Sequence, residues 1–318
     1  MRMKRNARNG NGVFVEEEMP MWTRRRTRKE QIAFNNEDEL EISGDASSSN
    51  TVPALSNAER KEVARRTNIS AVVLHESVRE AGERELRRRP TALAWSGLAA
   101  GLSMGFSLVA PGLLHAYLLN APWRALIDNL GYSVGFLIVI IGRQQLFTEN
   151  TLTVILPLLA HPNRSTFARV GRLWAIVLAA NLLGAWMFAT IVAHTTLFPP
   201  FVLNAFTEVA QHSLRGGFGL TVLRGIFAGW LIALMVWLLP ASQSSRMHII
   251  ILITYIVSLG GFAHIIAGSV DVLYLVNTGA VSWLTYLAGF MLPTLIGNII
   301  GGVSLVAALN FAQVATRE

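Results

Sequence analysis

The chain of 318 residues contains no cysteine. Disulfide frameworks and thiolate-based metal, iron–sulfur or nucleophilic sites are therefore excluded. Charge is scarce: 15% of the residues are Asp, Glu, Lys or Arg, against roughly 25% in a soluble domain. Lysine is absent after Lys61. No ATP-binding P-loop, haem-ligand pair or catalytic-triad context occurs, so neither an enzyme nor a cofactor is expected. The first 30 residues hold no apolar h-region, so a secretory signal peptide is not expected there and targeting falls to the first apolar span. What the chain does have is apolar character: 52% of it is hydrophobic. Its length suits one bundle of about six membrane spans plus a polar tail.

Charge divides the chain in two. Residues 1–90 carry 18 of the 27 basic and 15 of the 20 acidic residues. The run Arg24-Arg25-Arg26-Thr27-Arg28-Lys29 lies close to the acidic Glu37-Asp38-Glu39, the pattern of a solvated tail, and nucleic acid is not expected as a partner. Anionic membrane lipid is a better match, since each Arg near such a surface gains about 1 kcal/mol.

Residues 1–55, polar and mixed in charge, read as a disordered cytoplasmic tail. Ser56 with Glu59 forms a capping-box pattern. It opens an amphipathic cytoplasmic helix within 56–90, whose thin apolar stripe comprises Val63, Ile69, Val72, Val73 and Leu86. Residues 91–318 read as a transmembrane pore domain. Ala92 to Leu119 has no charged residue and exceeds the about 20 residues that a span needs. Further spans fall at about 130–160, 167–194, 217–239, 247–276 and 280–313. Arg87, Arg88, Arg89, Arg164, Arg169, Arg172, Arg246 and Arg317 all lie on one side of such a bundle. By the positive-inside rule both termini of such a multi-pass protein are then cytoplasmic.

Spans two and five hold equivalent places in the two three-span halves, and both are interrupted. Span two is broken at Arg143-Gln144-Gln145 and Thr148-Glu149-Asn150, span five around Gly260-Gly261 and Gly268-Ser269. Matching interruptions suggest an inverted repeat with a central site, and backbone freed at that depth must be buried in protein or line a polar cavity. Thr148 and His264 lie at the two breaks. An ionisable group within a span is a functional candidate by default. The expected fold is thus an all-α membrane protein with six transmembrane helices in an aquaporin-like inverted repeat (3+3), helices two and five broken, preceded by the polar tail and its amphipathic helix.

These segments carry a resemblance. Tyr132-Ser133-Val134-Gly135 through Leu146-Phe147-Thr148-Glu149-Asn150 resembles span two of the formate/nitrite transporter family. Phe262-Ala263-His264-Ile265-Ile266-Ala267 resembles its pore-histidine segment, and Leu292-Pro293-Thr294-Leu295-Ile296-Gly297-Asn298-Ile299-Ile300-Gly301-Gly302 its last span. Asn181-Leu182-Leu183-Gly184-Ala185 and Leu223-Arg224-Gly225-Ile226 match spans three and four. The long N-terminal extension suggests its YfdC-like branch. The resemblance implies a homopentamer of aquaporin-like protomers, each passing small monovalent anions or their weak acids, such as formate or nitrite. It implies that Thr148 and His264 face each other, that Leu146 and Phe147 form one constriction with Phe136 nearby, and that Val257 and Phe262 belong to the other.

The chain also departs from the family. Gln145 and Ala263 stand where acidic residues are usual, and Glu149 replaces a small residue. Gly229 and Gly268 take the places of two pore-facing asparagines, and the vestibule lysine falls on Ser213. Arg215, Arg224 and His212 are then the candidates for attracting an anion. Dehydrating an anion in an apolar constriction costs several kcal/mol, which a weak acid avoids by taking up a proton in transit near His264. Glu149 is expected at a subunit contact, paired with Arg143 or an arginine of a neighbouring protomer, and Asp271 with Arg224 inside the bundle. The alternatives are a channel for a small neutral solute and a membrane scaffold or sensor without transport.

Overall fold

The computed structural model describes residues 6–8, 14–16, 56 and 71–314. The chain divides into two units, Met1–Arg66 and Thr67–Glu318. In the first, β1 (Asn6–Arg8) pairs antiparallel with β2 (Phe14–Glu16), Ala7 opposite Val15. The rest of the expected tail, including the Arg24–Lys29 run, lies outside the described residues, as do Glu59 of the capping box and Arg317.

The second unit is helical throughout its described residues. Helix α1 (Ala71–Leu86) buries Leu74, Val78, Gly82 and Leu86, spaced four apart on one face. Its other side is laced by ion pairs at the i,i+3 and i,i+4 spacing that suits a helix: Arg79 with Glu76 and Glu83, and Arg87 with Glu83 at 3.2 Å. Val72 and Val73, expected in the apolar stripe, are instead exposed, because they fall off this four-residue repeat.

The apolar elements follow in order: α2 (Pro90–Met104), α3 (Phe106–Tyr117), α4 (Arg124–Gly131), α5 (Ser133–Ile141), α6 (Phe147–Thr153), α7 (Ile155–Ala160) and α8 (Arg164–His194). Asn163 caps α8, accepting from the Thr166 N–H at 2.9 Å. Then come α9 (Pro200–Gln211), α10 (Phe218–Leu238), α11 (Arg246–Leu259), α12 (Ile265–Asn277) and α13 (Leu292–Val314), the last entered through a π-helical stretch at Thr285–Met291. Helix α9 was not anticipated. Proline at its first position suits a helix start, and Val202, Ala205, Phe206 and Ala210 bury one face.

Five stretches are long and apolar enough to cross a membrane: Pro90–Tyr117, Arg124–Ile141, Arg164–His194, Phe218–Ala241 and Thr285–Val306. Phe147–Ala160, Arg246–Leu259 and Ile265–Asn277 are shorter apolar helices. Helix α2 packs along α8, and α10 along α13. Glycines four apart permit the close approach typical of membrane helices. A Cβ on Gly101 would stand 2.1 Å from the Asn181 carbonyl oxygen, and one on Gly229 2.4 Å from that of Asn298.

Helices α5 and α11 end in the same way. Gln144 N–H reaches Val139 O and Arg143 N–H reaches Ile140 O; Phe262 N–H reaches Val257 O and Gly261 N–H reaches Ser258 O. This is the paired bonding of a Schellman cap, which calls for a left-handed residue. Gly261 (φ 61°) fills that place in α11 and Arg143 (φ 51°) in α5. Two expected interruptions are corrected. Thr148-Glu149-Asn150 lies inside α6, and Gly268-Ser269 inside α12; the Schellman turns already redirect the chain, so helix resumes immediately after them.

Candidate functional site

The chain re-enters helix at two matching points. Leu146 caps α6 with φ −102°, ψ 131°, and His264 caps α12 with φ −103°, ψ 126°. Each point is clamped by one asparagine. Asn181 on α8 accepts from Phe147 N–H (2.9 Å) and donates to Gly97 O (2.7 Å) and Gln145 O (2.9 Å). Asn298 on α13 accepts from Ile265 N–H (2.9 Å) and donates to Gly225 O (2.9 Å) and Ala263 O (2.8 Å). Both asparagines are fully buried. They satisfy backbone groups that the interruptions would otherwise leave unpaired away from water.

Thr148 and His264 meet between these clamps, Oγ1 to Nε2 at 2.7 Å, both within 1% of full burial. His264 Nδ1 accepts the Ala267 N–H at 3.2 Å. An accepting Nδ1 carries a lone pair, so the hydrogen sits on Nε2 and is donated to Thr148 Oγ1. The imidazole in this arrangement is neutral. The Thr148 hydroxyl, having accepted from His264, keeps its own O–H to donate. The edge of Phe136 packs on His264 at 4.9 Å between centroids.

A cavity of about 600 Å³ runs from the α3–α4 and α9–α10 connections down to His264, Phe262 and Gly268. Phe262 stacks on Phe227 at 5.3 Å. Leu146, Phe147, Thr148, Phe136 and Val257 are fully or almost fully buried beyond the cavity lining, Phe147 edge-on to Trp174. Gly229 is not at the cavity. It lies against the Asn298 backbone, so its place belongs to helix packing and has no room for a side chain. Gly268 does line the cavity, where a Cβ would meet the Phe290 ring at 2.3 Å.

The cavity mouth is mixed in charge rather than basic. Arg124, Arg215 and Arg224 line it, but so do Asp128, Glu208 and Asp271. His115 bridges Asp128 (2.7 Å) and Glu208 (2.9 Å), and Arg124 approaches Asp128 at 3.8 Å. Arg224 donates to the Arg215 carbonyl. The expected Arg224–Asp271 pair is absent among the described residues, because Ser213 Oγ donates to Asp271 Oδ2 at 2.7 Å. Burial, with Arg215 and His115 nearby, holds His212 below its ordinary pKa, and Glu208 only partly offsets this. His212 is thus uncharged at neutral pH and adds no attraction for an anion.

Toward the other end, Gln145 is a structural knot. Its side chain donates to Glu85 of α1 (2.9 Å) and accepts from Asn150 (3.1 Å). Glu149 forms no ion pair with Arg143 among the described residues, and its Oε1 is buried without a partner. The reading from sequence assigned no role to Asn181 or Asn298. The signal was present as an internal repeat, Asn181-Leu182-Leu183-Gly184 and Asn298-Ile299-Ile300-Gly301. The His115 bridge and the Ser213–Asp271 pair carry no comparable pattern, since their members lie 13, 93 and 58 residues apart.

Interrupted apolar helices, clamped by buried amides around a cavity, define the class of helical membrane channels and transporters. The family model described as formate/nitrite transporter matches residues 72–312, and the chain belongs to that family. It is similar to the inner membrane protein YfdC of Escherichia coli K12, 42% identical over 244 residues, 77% of this chain and 79% of that one. The formate channel BtFdhC of Bacillus thuringiensis is 28% identical, over 74% of this chain and 92% of its own. A solved pentameric formate channel with formate bound shares the fold at a TM-score of 0.60 and 20% identity, over 74% of this chain and 99% of that one.

Proposed function

We propose that the protein conducts small monovalent anions or their conjugate weak acids, formate and nitrite among them, across a bacterial inner membrane as a homopentamer with one passage per protomer. The observation that carries this reading is the Thr148–His264 contact at the foot of the cavity. Family membership and the formate channels among its relatives support the substrate class and the assembly.

In this reading α11 and α12 together make a sixth crossing, and the two halves form an aquaporin-like inverted repeat. The equivalent bonds of Asn181 and Asn298 support that repeat. The arginines at the α1 end support cytoplasmic termini by the positive-inside rule, with the cavity facing the outside. An anion that reaches the apolar zone takes a proton from cavity water. The Thr148 O–H then hydrogen-bonds the substrate while His264 fixes that hydroxyl. A neutral His264 could give up only its Nε2 hydrogen, leaving an imidazolate, so the imidazole orients rather than supplies the proton. No net movement of charge through the apolar zone is needed, which removes the several-kcal/mol dehydration cost.

Proteoliposome uptake of formate and nitrite across a pH series tests this. Uptake that rises as the medium is acidified, and that His264→Ala abolishes, supports it. Equal uptake of a small neutral solute, with no response to pH, favours a neutral-solute channel instead.

A further inference from the structure

Asp271 lies seven residues after His264 on α12, two turns along the same face of the helix, and both line the cavity. Among the described residues its side chain has one hydrogen bond, from Ser213 to Oδ2 at 2.7 Å, and no ion-pair partner. The Asp271 residue is 7% exposed. The cations that share the cavity, Arg124, Arg215 and Arg224, form no ion pair with Asp271 among the described residues. Arg124 faces Asp128, and Arg224 is turned to the Arg215 carbonyl. From the other walls, the His115–Asp128–Glu208 bridge is closed on itself and His212 is uncharged at neutral pH. Tyr132, at the α4–α5 junction, lines the same cavity. A small acid on its way to His264 therefore meets a carboxyl group that, among the described residues, no arginine pairs with.

Two carboxylates cannot share such a place while both are ionised, because like charges at short range in a partly desolvated site repel strongly. One carboxyl and one carboxylate can, since the proton between them makes a charge-assisted hydrogen bond. We propose that Asp271, held by Ser213, is a specificity-determining residue that admits a small monoprotic acid only together with one proton. The inference rests on the transport reading above and adds a second proton requirement two helical turns before Thr148–His264. The proton comes from water on the cavity side and leaves with the acid, so Asp271 ends as it began. Ser213 positions Asp271; it does not itself select.

The test is formate uptake by proteoliposomes of the full chain between pH ~5.5 and ~7.5, for wild type, Asp271→Asn, Asp271→Glu and Ser213→Lys, with size-exclusion profiles for assembly. Wild-type uptake should fall about tenfold per pH unit, following the fraction of neutral acid. Asp271→Asn should flatten that dependence in part, raising uptake about fivefold at pH ~7.5 and less than twofold at pH ~5.5 because the apolar zone still requires the neutral acid, and Asp271→Glu should keep the wild-type slope. Ser213→Lys places a cation against the carboxylate and should flatten it equally, which decides the matter even where Asp271→Asn fails to assemble. A wild-type slope retained in both Asp271→Asn and Ser213→Lys overturns the inference and leaves the transport reading standing. Absence of formate and nitrite uptake by the wild type overturns the transport reading itself.

Discussion

Asn181 and Asn298 make the same three hydrogen bonds in the two halves of the protein, each accepting from the first backbone N–H of a re-entering helix and donating to two carbonyls. Removing either amide strands buried backbone groups, each worth about 1–3 kcal/mol when left unpaired. Asn181→Ala and Asn298→Ala should therefore each cost several kcal/mol and lose assembled protein in detergent. Thermal unfolding followed by size exclusion checks this. Wild-type stability in both variants would refute the clamp.

Arg143 holds a left-handed backbone that Gly261 adopts freely in the matching turn. The left-handed region costs an L-residue about 1–2 kcal/mol. Arg143→Gly should stabilise the protein by about 1 kcal/mol and Gly261→Ala should destabilise it by a similar amount. Equilibrium unfolding of the two variants measures both signs.

Gly229 and Gly268 should respond differently to asparagine. Gly229→Asn drives a side chain into the Asn298 backbone and should abolish assembly. At Gly268 the three atoms nearest an added Cβ all belong to the Phe290 ring, so the double change Gly268→Asn with Phe290→Ala should yield assembled protein. Expression and size-exclusion profiles of the variants distinguish the two positions.

His212 is held below its ordinary pKa by burial and by Arg215. The unfolded chain then takes up a proton first as the pH drops through about 6.5. Stability present above that value is lost as the pH falls toward the lower folded value. His212→Gln should reduce the loss of stability on acidification while leaving formate uptake at pH ~7 within about twofold of wild type. Unfolding midpoints at two pH values and one uptake assay check both statements.

Much of the local architecture was legible because it follows from periodicity and composition. The uncharged run after Pro90 marks a span, and Gly260-Gly261 marks the end of a helix. Arg143-Gln144-Gln145 marks another by its polarity alone. Gly268-Ser269 misled, since small residues inside an apolar helix serve packing as readily as breaks, and Phe290 fills the space that Gly268 leaves. Gly229 was assigned to the pathway through the resemblance alone, whereas it lies against the Asn298 backbone. The cavity chemistry was less legible. Arg224 was paired with Asp271 from charge alone, whereas Ser213 reaches that carboxylate from a different connection and Arg224 finds a backbone carbonyl. Contacts of that kind depend on how separate helices dock, which no local pattern encodes.

In the proposed function the Thr148 hydroxyl, fixed by His264 Nε2 at 2.7 Å, hydrogen-bonds the permeating acid. Thr148→Val keeps the side-chain shape and removes only that hydroxyl, so the initial rate of formate uptake by proteoliposomes at pH ~6 tests it most directly. A fall of at least about tenfold is expected, the order of one lost hydrogen bond of about 1.4 kcal/mol, in a protein that still assembles. A wild-type rate from the assembled Thr148→Val protein would contradict it.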